Sequence, residues 1–359
     1  MPEAKTRYLV MNWRQLRKFG TSQVGDAANS DNGPDAIDRE EELVIRHSCS
    51  IRNCRMTPAC FSHRAISGKG GKMNVTIRQA VSADAETCGR IIYDAFKNIA
   101  DRHGFPPHFP TLETAIQRAN FSITHPSIFG VVAESDDQII GSNFLDERDP
   151  IRGLGPVTVD PRVQIRGIGR RLMEAVLERD RGAVGVRLVQ DSFNMLSISL
   201  YASLGFGVKE PLLLMRGKPN GKLPPGIAVR PLQKKDLGEC AALCRKVHGF
   251  ERFNELQDAV TTLTPVVALR EDRITAYALA LNLWPRNHAV ANDEEDMKAL
   301  LLGAAAMNSE ALSLLLPVRQ ASLFRWCLSQ GYRAVMPMTL MALGEYREPN
   351  GCYIPSVLY

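Results

Sequence analysis

The chain has 359 residues, 45% apolar and 23% charged, the proportions of an ordinary soluble globular protein of about two domains. Its formal charge is +5, and the first 72 residues supply most of it, with 12 basic against 8 acidic side chains. The remainder is nearly balanced, which argues against a dedicated nucleic-acid surface. No apolar run approaches the roughly 18 residues needed to cross a bilayer. The first thirty residues lack the layout of a signal peptide. The expectation is therefore a cytoplasmic protein without membrane or nucleic-acid partners. Eight cysteines in this length suit reduced thiols better than a disulfide scaffold.

Residues 1–72 differ from the rest. "TSQVGDAANSDNGPDAIDREEE" is polar, rich in turn formers and without periodicity, so an extension of poor order is expected. "AISGKGGK" reads as a linker. Met73 stands directly before the first orderly strand–helix pattern and is a plausible start. His47, Cys49, Cys54, Cys60 and His63 fall in the extension. Their irregular gaps do not match the paired spacing of structural zinc ligands, and no metal is expected.

From there strands and helices alternate. Val75–Gln79 reads as a strand, and Ser82 as the cap of a helix running toward Ala100, with Ile91, Ile92, Ala95, Phe96 and Ile99 near one face. "HGFPPHFP" interrupts as a loop, and Thr111 caps a second helix through Ile123. Ser127–Glu134 and Gln138–Leu145 form a hairpin around Ser-Asp-Asp. Leu154–Val159 is a strand, Ile168–Arg181 a helix, Val184–Gln190 a strand and Ser192–Leu204 a helix. Two short strands follow, Phe206–Lys209 and Leu212–Met215. "GKPNGKLPPG", residues 217–226, is a linker.

The pattern then starts again. Ile227–Pro231 is a strand, Lys234–Val247 a helix, and Val266–Arg270 with Ile274–Leu281 a hairpin around Glu-Asp-Arg. Asp293–Met307 is helical, Leu312–Leu316 a strand and Arg319–Gln330 a helix. Tyr332–Met336 and Thr339–Leu343 are the closing strands. "VTIRQAVSADAE" near residue 75 matches "IAVRPLQKKDLG" near 227, and "LYASLGF" at 200–206 matches "WCLSQGY" at 326–332. A whole domain is repeated, which means tandem copies of one fold rather than a solenoid. The organisation read from this is an extension at 1–72, a domain at 73–216, a linker at 217–226 and a second domain at 227–359.

The chemistry concentrates in "VTVDPRVQIRGIGRRLMEAVLERD", residues 157–180. It is a strand, a glycine turn and a helix start. The free N–H groups of a first helical turn, together with the helix dipole, favour an anion, and glycine lets a ligand approach closely. Gly167 and Gly169 suit a phosphate or diphosphate, with Arg166, Arg170 and Arg171 adding charge. A dinucleotide fingerprint needs a third glycine where Leu172 stands, and a P-loop needs Gly-Lys-Ser/Thr, which is missing.

The remaining pattern, Val-x-Val-Asp-Pro-x-x-Gln-x-x-Gly-Ile-Gly-Arg, resembles the pyrophosphate-binding motif of the GCN5-related N-acetyltransferase (GNAT) superfamily. "NMLSISLYASLGF", Asn194–Phe206, resembles that family's next motif. Asn194 and Tyr201 stand two helical turns apart and share a face. The likeness covers roughly Val75–Arg216. It implies an α/β fold of tandem GNAT units, each a mostly antiparallel sheet flanked by helices and splayed between its fourth and fifth strands. It implies acetyl-CoA as cosubstrate and direct attack of an amine on the thioester. By position, Val157 and Val159 would hold the pantetheine arm. Ile165, Arg166, Gly167, Ile168, Gly169 and Arg170 would wrap the diphosphate. Asn194 would contact the cofactor, and Tyr201 would protonate the departing thiolate. The general base is open: Glu147, in the acidic run "LDERD", is the first choice, and Asp191 the second.

No counterpart of the glycine turn exists near residues 285–300. Asp293, Glu294, Glu295 and Asp296 stand where the helix should begin; they suit a free helix N-terminus and would repel a diphosphate. Cys327 takes the position of Tyr201. The second domain reads as a degenerate GNAT-like copy. Cys240, Cys244 and His248 share a helix face and read as core, and "ERFNELQD" reads as solvated surface. The expected partner is a primary amine, on a small molecule or on a peptide or protein, and the chain a monomer or homodimer. The alternative is a CoA-binding sensor or interaction protein without catalysis.

Overall fold

The computed structural model describes residues 74–358 apart from Ile165, Asp180 and Arg181. The extension with its cysteines and histidines lies outside the described residues. In chain order the first repeat holds β1 (Thr76–Gln79), α1 (Ala85–His103), α2 (Leu112–Thr124), β2 (Ile128–Ser135) and β3 (Gln138–Asp146). It continues with β4 (Ile151–Leu154), β5 (Thr158–Val159), α3 (Ile168–Arg179), β6 (Gly185–Asp191), α4 (Met195–Ser203) and β7 (Gly207–Gly217). The second opens with β8 (Ile227–Pro231), α5 (Leu237–His248), α6 (Phe253–Thr262), β9 (Val266–Arg270), β10 (Arg273–Ala278) and β11 (Ala289–Ala291). It closes with α7 (Glu294–Met307), β12 (Leu312–Pro317), α8 (Ala321–Ser329), β13 (Arg333–Gly344) and β14 (Cys352–Ile354).

The repeat extends to single hydrogen bonds. In the first copy Asp84 takes Arg78 by both oxygens, at 2.8 and 3.1 Å, and accepts the Val81 N–H at 2.8 Å. In the second, Asp236 does the same for Arg230, at 2.6 and 3.0 Å, and for the Gln233 N–H at 2.8 Å. Asp84, and not Ser82, holds the position just before the first helix: Ser82 opens a short 3-10 turn ahead of α1. Both hairpins turn on two residues of positive φ, Asp136–Asp137 and Glu271–Asp272, the two-residue geometry whose twist matches the flanking strands. Thr111 caps α2 as expected, accepting the Thr114 N–H at 3.3 Å.

The sheets do not follow the sequence boundary. One sheet runs β1-β2-β3-β4-β6-β13-β7-β12, with β5 paired to β3; the other runs β14-β11-β10-β9-β8. The closing strand of each repeat thus completes the other. β13 pairs antiparallel with β6 from Asp191↔Met338 to Gly185↔Gly344, and β7 pairs with β12 from Gly217↔Leu312 to Leu212↔Pro317. β7 and β13 also pair with each other. Each is one long strand where the sequence suggested two short ones, because register shifts bend it without ending it. Leu212, Leu214, Leu315, Met336, Met338 and Leu340 form a core drawn from both repeats. Each such buried side chain contributes about 1.5–3 kcal/mol, so the halves are held by a true interior and not by a docking contact.

Within the first repeat the sheet opens. β4 pairs in parallel with β6 over Ile151–Gly153. After Leu154 the chain leaves that partner, and β5 pairs only with β3. A gap remains between β5 and the end of β6. Among the described residues, no helix is long and apolar enough to cross a membrane.

Candidate active site

The gap leads to the glycine turn. Beyond β5, Asp160 accepts the Arg162 N–H at 2.9 Å, and Gln164 Nε2 donates to the Val159 carbonyl at 3.1 Å. These two bonds fold the loop back on its own strand. Gly167 has a φ of +78°, a conformation costly for any residue with a Cβ. Arg171 N–H donates to the Gly167 carbonyl at 3.2 Å. The N–H groups of Ile168, Gly169 and Arg170 precede that helical ladder and have no partner in it. A Cβ added to Gly167 would meet nothing within 4 Å, so the turn faces open space. At Gly169 an added Cβ would already touch Leu200 at 3.4 Å. An open turn with three convergent N–H groups fits a diphosphate.

A cavity of about 840 Å3 lies over this turn. Val157, Val159, Gly167, Ile168, Gly169, Arg170, Asn194 and Tyr201 all line it, so the two sequence motifs meet in one space. Arg166 is exposed and is not on its wall, and Ile165 lies outside the described residues. Asn194 also caps α4, its Oδ1 accepting the Ser197 N–H at 3.2 Å. Tyr201 is buried, and desolvation pushes its phenol up to about 12 despite the nearby Ser197 hydroxyl. It therefore stays protonated throughout the neutral range and can donate its proton.

Glu147 is not at this site. Its carboxylate pairs with Arg179 at 3.3 Å, and it is not part of the cavity wall. The rest of the "LDERD" run is engaged in joining the repeats. Asp146 is held by Arg148; Arg148 reaches Asp258 at 3.1 Å and Glu255 at 3.7 Å. Burial alone would raise the Asp146 carboxyl, but the Arg148 guanidinium outweighs it and lowers it. Asp149 accepts the N–H groups of Asn254 and Glu255, both at 3.1 Å, and so caps α6 from the other repeat. "ERFNELQD" is accordingly no solvated surface: Arg252 and Glu255 are buried, and α6 is the second repeat's half of the junction. Acidic spacing alone could not distinguish a base from a clamp.

The structure brings other groups to the cavity. Asp191 ends β6, held opposite Met338 of the second repeat, and its Oδ1 lies 2.9 Å from His108 Nε2. Both side chains are buried. His108 comes from the "HGFPPHFP" loop and sits between the rings of Phe96, at 4.8 Å, and Trp284, at 5.4 Å. Trp284 and Arg286 are supplied by the second repeat, Arg118 by α2. No periodicity or motif marks these four; only folding gathers them. Cys240, Cys244 and His248 are core residues, as read, and burial lowers the His248 imidazole to about 3.

The model of the acetyltransferase (GNAT) family matches residues 93–206, the segment that carries the turn, the gap and Tyr201. Residues 93–206 are a GNAT domain. Two mycothiol acetyltransferases are similar to parts of the chain. That of Nocardia farcinica is 31% identical over 101 residues, 26% of this chain and 33% of the relative. That of Thermomonospora curvata is 41% identical over 78 residues, 21% and 26%. The chain thus matches a third or less of these relatives' length. A solved structure from Pyrococcus horikoshii, assigned to the acetyltransferases, has a TM-score of 0.65 at 18% identity. It covers 83% of this chain and 98% of its own, so the likeness of fold runs through both repeats and not the GNAT domain alone. The chain is a mixed α/β protein whose mostly antiparallel sheets, flanked by helices, match GNAT folds.

Proposed function

We propose that this protein is an acetyl-CoA-dependent N-acetyltransferase that acetylates a primary amine by direct attack on the thioester. The observation that carries the reading is the convergence of the glycine turn, β5, Asn194 and Tyr201 on one cavity at the open edge of the sheet. The family match and the names of the two curated relatives support acetyl transfer in general.

Bound acetyl-CoA supplies an activated acetyl carbonyl; the protein supplies placement and proton transfers. The N–H groups of Ile168, Gly169 and Arg170 hold the diphosphate, with the α3 dipole behind them. The backbone of Val157 and Val159, unpaired toward β6, holds the pantetheine arm and polarises the thioester carbonyl. The acceptor arrives protonated at neutral pH. His108, backed by Asp191, removes that proton. The amine nitrogen then bonds to the acetyl carbon as the C–S bond breaks, and it gives up its second proton to solvent as the amide forms, which balances the one that Tyr201 loses and later regains. Tyr201 donates its proton to the departing thiolate. Asp191, the second of the two bases considered from sequence, thereby enters as the partner of His108, and Glu147 drops out.

The test is acetyl-CoA-dependent thermal stabilisation together with free-thiol release across an amine library. Stabilisation with release is the expected result. A melting temperature unmoved by millimolar acetyl-CoA would refute the reading.

A further inference from the structure

The cavity wall carries, besides the glycine turn, two guanidinium groups with no carboxylate bound to them. Arg118 on α2 and Arg286, in the segment between β10 and β11, both line the cavity. Their guanidinium carbons lie 5.9 Å and 4.9 Å from the centre of the Phe121 ring, so the two repeats bring them to one aromatic ring. Arg118 Nη2 reaches the Gly155 carbonyl at 3.5 Å, and Arg286 Nη2 the Thr262 hydroxyl at 3.4 Å. Neither is in an ion pair among the described residues. Their neighbour Arg148, on the same wall, is fully engaged by Asp146, Glu255 and Asp258.

This arrangement is unfavourable as it stands. Burial, against the pull of Asp146 and with the positive charges of Arg286 and Arg148, lowers the Arg118 guanidinium to about 10; burial and Arg148 lower Arg286, only partly offset by Glu255, Asp258 and Asp146. Two partly desolvated cations cost free energy unless an anion joins them, and the planar guanidinium matches the two oxygens of a carboxylate or phosphate. The cofactor's diphosphate is served elsewhere, by the turn beyond β5, whereas Arg118 sits at Gly155, before β5 begins. Asp191, beside His108, also lines the cavity and suits the ammonium end of an acceptor.

We infer that the acceptor amine carries an oxyanion, a carboxylate or phosphate, gripped jointly by Arg118 and Arg286. Phe121 and Trp284, which both line the cavity, take the apolar body of the acceptor. The second repeat then contributes directly to acceptor binding, because it holds one half of the clamp. This inference rests on the acetyltransferase reading above and names the substrate class of that site.

The test uses full-length protein with acetyl-CoA and three acceptor series: L-amino acids, the amines formed by removing their carboxylates, and phosphate-bearing amines such as phosphoethanolamine. Oxyanion-bearing acceptors are expected to exceed the matched neutral amines in kcat/KM by about tenfold or more. Arg118→Gln and, separately, Arg286→Gln should each remove most of that preference through KM. CoA affinity by calorimetry should be unmoved, and Arg118→Lys should keep part of the preference. Comparison of the carboxylate and phosphate series identifies the oxyanion. Neutral amines preferred, a preference untouched by both glutamine variants, or a loss of CoA affinity in them would each overturn the inference. So would failure of all three series while CoA still stabilises the protein. Failure of CoA itself to bind would instead strike the acetyltransferase reading.

Discussion

The two repeats place different chemistry on the same scaffold. In the first, the helix after the fourth-strand segment starts at Gly167 with a positive φ and open space before it. In the second, the corresponding helix starts at Asp293, whose side chain accepts the Asp296 N–H at 2.9 Å, and Asp296 in turn binds Arg270 at 3.0 Å. The anion position is filled by the protein's own carboxylate. The gap between strands differs as well. Beside β5 it opens into the cavity; beside β11 it is taken by β14, which pairs from Ala289↔Ile354 to Ala291↔Cys352 and lies alongside β12. Gln320, just before α8 as Asn194 is just before α4, binds the Tyr353 carbonyl at 2.7 Å. Tyr201 and Cys327 are each the seventh residue of a nine-residue helix, but Cys327 is sealed in the core. The second repeat therefore keeps the architecture while the protein's own groups fill the four positions that lie open or face the cavity in the first.

The largest effect that tests this contrast is at the paired helix positions. Tyr201→Phe should lower turnover by about 10²–10⁴-fold, the range for a lost general acid, with CoA affinity unchanged within about twofold. Cys327→Ser should leave turnover within about twofold. Burial disfavours the phenolate, so the protonated form persists until pH approaches 12. The kcat profile should accordingly show no falling limb near pH 10, and a limb there would remove Tyr201 from the acid role. The next effect is at the turns. At a hundredfold excess over Kd, CoA should stabilise the protein by about 2.7 kcal/mol. Gly167→Glu, which combines strain with a competing charge, should show none of it. Replacing both Asp293 and Asp296 by glycine should create no second CoA site, because β14 still fills the gap. Calorimetry giving two CoA per chain in that variant would break the comparison.

Much of the site was legible because its chemistry is local. The glycine turn, the strand before it and the Asn194–Tyr201 helix each occupy a few consecutive residues whose spacing carries the meaning. The carboxylates of Asp293–Asp296 were legible for the same reason. What escaped was non-local. The exchange of β7 and β13 leaves no trace in periodicity, since a strand alternates in the same way whichever partner it finds. His108, Arg118, Trp284 and Arg286 come from two loops, a helix face and two repeats, with no shared spacing. Arg166 was placed by motif alone, yet its side chain turns to solvent.

The smallest expected effects separate the junction from the chemistry within "LDERD". Asp149 caps α6 across the repeats and is buried, so Asp149→Ala should cost about 0.5–2 kcal/mol in urea unfolding, the range for a lost helix cap. Glu147, two residues earlier in the same run, pairs with an Arg179 that is more than half exposed. Such pairs contribute about 0–1 kcal/mol, and Glu147 does not touch the cavity. Glu147→Gln should therefore leave kcat/KM within about twofold and stability within about 1 kcal/mol of the parent protein. A large loss of turnover with unchanged stability would return Glu147 to the role of base and take it from His108 and Asp191. Geometry rather than charge separates the two carboxylates: they are neighbours in sequence, but one is committed to the backbone of the other repeat and the other to a solvent-facing arginine.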